Sequence, residues 1–237
     1  MSLNALKYAT LLTLVFVAQV AFAADEGFKS IFNGKDLTGW DGNMKLWSVK
    51  DGAIVGETTK ENPTKGNTFL VWKDGKPKDF EFKCMFKLEG GNNSGVQYRS
   101  KDHGNFVLGG YQCDLNKGFP QMCKLYEEKG SRGRMAMGGE KVIWGADDKK
   151  QLVGPTDEAE KLKSAEKAGD WNECVIIANG NHIIQKLNGV VTVDFTDNHE
   201  TKRHIEGLLG LQIHAGSPMK ISFKDIMIKE LPPEAGK

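Results

Sequence analysis

The chain predicts an all-β fold, a sandwich of the jelly-roll kind with one short helical excursion. Short alternating or apolar runs recur along most of its length. Turn signals separate them: FNGKDLTGW, KDGAI, EGGNNSG, LGGY, ANGN and LNGV. One stretch alone breaks the pattern, the charged TDEAEKLKSAEKAGD at 156–170.

The chain opens with Lys7, an apolar run from about Leu11 to Val20, and Ala21-Phe22-Ala23. That order reads as a signal peptide over 1–23, cleaved after Ala23, and predicts export to the periplasm or beyond the cell. The alternative is an N-terminal membrane anchor, although the run is short for a bilayer span. No Cys stands at the cleavage site, which argues against a lipoprotein. The remainder, 24–237, suits a single domain. It holds no later segment apolar enough to span a membrane, so no anchor is expected after cleavage. The formal net charge is +1, with no basic block or basic-aromatic repeat, so no nucleic-acid partner is expected.

Next come the strands. EFKCMFKLE sets Phe82, Cys84, Phe86 and Leu88 on one face, with Glu81, Lys83 and Lys87 on the other. WNECVIIANGNHIIQKLNGVVTVDF reads as antiparallel strands turned at Asn179-Gly180-Asn181 and Asn188-Gly189. ISFKDIMIKEL closes the fold, and PPEAGK reads as a frayed tail. Between the strands, GSRGRMAMGGEKVIWGADDKKQLVG and the 156–170 helix make one long excursion. Pro155 precedes that helix, Asp157 and Glu160 could form a capping box, and Gly169 stops it.

The four cysteines, Cys84, Cys113, Cys123 and Cys174, are even in number. An oxidising compartment would allow disulfides, and Cys113 with Cys123 is the first pair to test. Equally, all four could be small buried apolar residues. Without a Cys-x-x-Cys, neither a zinc ribbon nor a thioredoxin motif is supported.

Three strands carry an unusual face. In GGYQCDLN, Tyr111, Cys113 and Leu115 alternate with Gln112 and Asp114. In SGVQYRS, Val96 and Tyr98 alternate with Gln97 and Arg99. In GLLGLQIHAG, Leu209, Leu211 and Ile213 alternate with Gln212 and His214. A nearby segment, CKLYEEKGSRGR, adds Glu127, Glu128, Arg132 and Arg134. Planar amides and ionisable groups read hydroxyls and carbonyls. Side by side, these strands would line a polar surface for a ligand rich in hydroxyls, such as an oligosaccharide. Otherwise they form a solvated face whose charges are satisfied across the ladder. Asp114, Glu127 and His214 would offer an oxygen and nitrogen set for a divalent cation, the one cofactor that the residues suggest. Trp144 could stack on a sugar ring, whereas Trp40, Trp47 and Trp171 read as packing residues. His103, His199 and His204 read as loop residues. The sequence holds no G-x-S-x-G elbow, H-E-x-x-H, EF-hand loop or P-loop.

In order, FKSIFNGKDLTGW, NNSGVQYRS, GYQCDLN with LYEEKGSRGRM, GDWNECVIIANGNHIIQKLNG and GLLGLQIHAGSPMKISFKDIMIKEL resemble the 3-keto-disaccharide hydrolase domain family. The resemblance runs from about Gly27 to Leu231 and implies a concanavalin-like sandwich. It also implies glycosides oxidised to a ketone at the third sugar carbon as substrates. Cleavage would proceed by elimination, with hydration of the product in some relatives. The family's polar positions fall on Asn93, Arg99, Gln112, Asp114, Glu127, Gln212 and His214. A Glu that some relatives carry shortly before the Gln of the third motif is replaced here, where Gly110 and Tyr111 stand. On this reading His214 or Asp114 is the base, Glu127 the acid or a metal ligand, and Arg99 stabilises the enolate. Asn93, Gln97, Gln112, Gln212 and Arg134 would bind substrate. A lectin-like glycan-binding module is the alternative, since it needs hydroxyl readers but no acid–base set.

Overall fold

The computed structural model describes residues 27–91 and 93–232. The expected signal peptide lies outside the described residues, as does most of the tail. In chain order the first strands are β1 (Lys29–Ser30), β2 (Trp40–Asp41), β3 (Trp47–Lys50), β4 (Ala53–Thr58), β5 (Thr68–Trp72) and β6 (Phe80–Gly90). Then come β7 (Asn93–Asp102), β8 (Leu108–Asn116), β9 (Met122–Glu128), β10 (Gly133–Ala136), β11 (Glu140–Trp144) and β12 (Lys150–Pro155). Helix α1 (Ala159–Ser164) leads into β13 (Asn172–Asn179), β14 (His182–Leu187), β15 (Val190–Asp197), β16 (Leu208–Ile213) and β17 (Met219–Glu230).

These strands form two sheets packed as a jelly-roll sandwich. The larger runs β12-β11-β15-β14-β13-β6-β17-β4-β3, with β1 also on β17. The smaller runs β10-β9-β8-β7-β16-β5-β2. Period-two alternation sends one face of each strand inward. In β6, Phe80, Phe82, Cys84, Phe86 and Leu88 are buried while the residues between them reach solvent. They meet Tyr98, Tyr111, Leu115, Leu125 and Leu211 of the smaller sheet in one continuous core. Each fully buried large apolar side chain contributes roughly 1.5–3 kcal/mol. The β14–β15 hairpin turns on Asn188 and Gly189, both at positive φ (49° and 82°), as a two-residue turn matching strand twist requires.

Two expectations are corrected. The long excursion is largely strand: β10, β11 and β12 lie within it. β11 pairs in parallel with β15, and Val142 and Trp144 point into the core. The helix covers only Ala159–Ser164 and has no capping box. Asp157 pairs with Lys161, and Glu160 pairs with Lys163 instead of turning back to the helix start. With Leu162 as its buried residue, the helix has little tertiary packing to lengthen it.

Arg99 is placed differently from the parity argument. The β7–β8 register shifts between Tyr98 and Lys101, and Arg99 sits in that irregularity at φ 46°. Its side chain therefore leaves the outer face. The guanidinium donates to the carbonyls of Lys78 (2.8 and 2.6 Å), Gly180 (2.7 Å) and His204 (3.2 Å), and to Asp79 (3.1 Å). It is 1% exposed and clasps three loops. Asp79 in turn accepts the Gly180 N–H at 2.7 Å. Arg99→Ala would strand the Asp79 carboxylate and three carbonyls, at a cost of about 3–5 kcal/mol. Chemical denaturation should show that loss; a change below about 1 kcal/mol would contradict the clasp.

Candidate functional site

β9, β8, β7 and β16 are consecutive in the smaller sheet, so the three strands singled out above do lie side by side. On their outer face is a cleft of about 280 Å³. Its lining includes Asn93, Gln112, Asp114, Arg134, Gln212 and His214, together with Asn67, Asn116, Lys124, Tyr126 and Glu128.

A directed hydrogen-bond chain organises its floor. Gln212 Nε2 donates to Gln112 Oε1 at 2.9 Å, and Gln112 Nε2 donates to Asp114 Oδ1 at 2.9 Å. Asp114 Oδ2 pairs with Lys124 Nζ at 2.6 Å, and Lys124 also donates to Gln121 at 2.8 Å. Gln112 and Gln212 are separated by the whole of β7, about 10 Å at normal strand spacing. Gly95 makes that reach possible. A Cβ there would stand 2.6 Å from the Gln112 carboxamide carbon. Two acceptors of the cleft lining, Asn93 Oδ1 and Gln212 Oε1, both buried, have no partner among the described residues. Such atoms are costly unless a ligand or water donates to them.

The groups able to move protons lie at the rim. His214 Nδ1 is 2.6 Å from the carbonyl of Ala215. A carbonyl only accepts, so Nδ1 carries a proton, and the tautomer this selects has its lone pair on Nε2. Burial pushes the Glu128 carboxyl above its ordinary value, and the negative charge of Asp114 adds to this. Lys129, Asn67 and His214 pull it down by less. Among the described residues, the Arg134 guanidinium has no ion-pair partner and is exposed in the cleft.

Several expected site residues lie elsewhere. Glu127 registers opposite Tyr111 and shares its inward face. Arg132 binds it at 2.7 Å and His204 Nε2 at 3.0 Å. Arg132 also reaches Asp197 at 2.8 Å, and Tyr111 donates to the same carboxylate. Glu127 is thus part of a buried charge cluster, and the Asp114–Glu127–His214 metal set is not assembled. His204, expected in a solvated loop, belongs to that cluster. Trp144 is no sugar platform: its ring is buried against Arg132, and Nε1 donates to Asp148 at 2.9 Å. Gln97 is on the outer face but fully buried, donating to Ser100 at 3.0 Å, outside the cleft. Arg99 is the loop clasp described above. Glu128 was named with the polar segment but given no role, and Lys124 and Tyr126 were missed, although they share its parity in MCKLYEE and could have been found that way. Asn67 comes from the loop before β5 and had no strand signal.

The fold and this polar cleft define a sandwich of the carbohydrate-active class. The profile of the 3-keto-alpha-glucoside-1,2-lyase-like domain matches residues 27–229, and the chain belongs to that family. Comparison with curated proteins gave no match. Among solved structures, it is similar to a candidate glycosyl hydrolase from Parabacteroides distasonis, with 21% identity and a TM-score of 0.57, covering 86% of this chain and 99% of that one. A second from the same organism has 22% identity and a TM-score of 0.56, covering 87% and 95%. A carbohydrate-binding module from Bacillus subtilis has 14% identity and a TM-score of 0.52, covering 81% and 96%. At these identities the likeness shows the fold. Among the described residues, no helix is long and apolar enough to cross a membrane.

Two predictions follow from this geometry. Burial alone would raise the Glu127 carboxyl, but hydrogen bonds from His204 and Arg132 outweigh it and hold it at about 2, against 4.5 when free. A depressed carboxylate contributes stability above its unfolded value and loses it as pH falls toward the folded one. Roughly 3 kcal/mol should therefore disappear between about pH 4.5 and 2. Acid titration of thermal stability should show that limb flattened in Glu127→Gln; an unchanged slope would refute it. Separately, Gly95→Ala should displace Gln112 and weaken ligand binding at least about tenfold with little loss of fold. Calorimetry on the variant would decide, and wild-type affinity would exclude this role for Gly95.

Proposed function

We propose that this protein cleaves glycosides bearing a ketone at the third sugar carbon, by elimination. One juxtaposition carries the reading: an imidazole with a free Nε2, a carboxyl whose affinity for a proton is raised by burial and a guanidinium without an ion-pair partner among the described residues line one polar cleft. Membership of the lyase-like family supports it.

The ketone acidifies the hydrogen on the second sugar carbon. His214 Nε2 takes that proton as the carbon–hydrogen bond breaks. The electron pair moves onto the ketone oxygen, and Arg134 stabilises the enolate, with Lys124 as a second cation nearby. The ketone then re-forms, a double bond forms between the first and second carbons, and the bond to the glycosidic oxygen breaks. Glu128 gives its proton to the departing oxygen. Water adding back across the double bond would make the net reaction hydrolysis. Gln112, Gln212 and Asn93 orient substrate hydroxyls, and the two unpartnered acceptors suit hydroxyl donors. With both oxygens engaged, Asp114 serves to fix Gln112 and Lys124, and His214 takes the role of base. No resident metal is needed for these steps.

The test is incubation with a 3-keto-glucoside and with its unoxidised parent. Release of the leaving group from the keto sugar alone supports the reading. No release from either, with measurable glycan binding, would make the protein a binding module. His214→Ala should lower kcat/KM about 10²–10⁴-fold for every leaving group. Glu128→Gln should do so for alkyl leaving groups, and an acidic aryl leaving group should restore most of the rate. Activity of the wild type should fall as rising pH removes the Glu128 proton, on a limb displaced upward from that of an ordinary carboxyl, and this limb should vanish in Glu128→Gln. Equal losses for alkyl and aryl glycosides would overturn the acid assignment.

A further inference from the structure

The cleft leaves one concentrated group of side chains unexplained. All four cysteines of the chain are buried free thiols, and they converge from four strands of both sheets. Cys113 (β8) and Cys123 (β9) come from the smaller sheet, and Cys174 (β13) and Cys84 (β6) from the larger. The sulfurs of Cys113, Cys123 and Cys174 all lie within 4.8 Å of one another. The Cys113 and Cys174 sulfurs are 3.6 Å apart. Cys84 is the register partner of Cys174 on the neighbouring strand, and its thiol interacts with that of Cys174.

We propose that Cys113, Cys123 and Cys174, with Cys84 turning in from outside that group beside Cys174 as the fourth ligand, form a structural zinc site joining the two sheets. The donor set is all sulfur, with no carboxylate or imidazole among the grouped atoms, which selects a soft or borderline cation. Zinc is held by four thiolates at about 2.3 Å, which places tetrahedral sulfurs about 3.8 Å apart. The observed 3.6 Å separation is close to that edge. Isolated buried cysteines are ordinary small apolar residues, but that does not account for three sulfurs meeting across two sheets with a fourth cysteine beside them. A disulfide between Cys113 and Cys174 would leave Cys123 out of the three-sulfur group, whereas one shared ion engages all of it. Binding forms four zinc–sulfur bonds, breaks four sulfur–hydrogen bonds and releases the protons to solvent. Cys113 lies between Gln112 and Asp114, and Cys123 precedes Lys124. The ion would therefore anchor the strands behind the cleft floor.

The site is enclosed, so the metal should enter as the chain folds. The chain without its leader would be refolded from guanidinium with zinc, with cobalt, or with chelator. One zinc per chain should survive gel filtration in chelator, and the thermal midpoint should exceed that of the chelator-refolded protein by about 10 °C. Cobalt should give the intense visible bands of tetrahedral thiolate coordination, and zinc uptake should release protons. Cys174→Ser should lose the metal; should that variant not fold, the wild-type comparison still decides. Four reactive thiols after refolding with zinc, metal content well below one per chain, or a mass two hydrogens lower for each bond formed would overturn the proposal.

Discussion

Arg132 places its guanidinium between Glu127 and Asp197, and Tyr111 completes the cluster from the facing position on β8. Arg99 sits at the same end and also reaches the loop carrying His204. Carboxylates taken out of water must be paired where they lie. Here the pairing joins β9 of the smaller sheet to β15 of the larger, while the Arg99 clasp joins β7 to the loops before β6 and after β13. Strand alternation beyond this end is consequently pinned: once Glu127 points inward, Glu128 points outward. The position of the candidate acid in the cleft is thus a consequence of a charge cluster on the opposite face.

The cleft floor shows how a sheet can carry polar groups across several strands. Ordinary cross-strand pairs involve adjacent strands. Gln112 reaches over β7 because Gly95 has no side chain, so amides two strands apart act as one unit. Lys124 neutralises the carboxylate at its end. What remains for a ligand is a row of fixed acceptors bordered by His214, Glu128 and Arg134.

Much of this was legible in the sequence, and the failures have identifiable causes. Alternation in β7, β8 and β16 placed Tyr98, Tyr111, Cys113, Leu115, Leu209 and Leu211 in the core, and Gln112, Asp114, Gln212 and His214 together. Adjacency of those strands followed from their shared pattern. Arg99 was misplaced because parity holds only while register holds, and the register shifts immediately after Tyr98. Glu127 and Glu128 are chemically alike, so composition could not choose between them, although counting from Leu125 would have. Glycines and charges on either side hid the short strands of the excursion. In EKVIW, alternation of Val142 and Trp144 already indicated an inward tryptophan. The cysteine convergence depends on strands distant in sequence, which no local pattern reports.

The hydrogen-bond chain from Gln212 to Asp114 has a direction. A carboxylate accepts only, so it draws the Gln112 amide nitrogen toward itself. That turns the Gln112 oxygen toward Gln212, which answers with its own nitrogen and leaves its buried oxygen without a partner among the described residues. Each amide behaves as a two-position switch set by its neighbour. Asp114 thereby fixes, on a strand two removed, which end of an amide is left over. A residue can in this way set the orientation of another that it never touches.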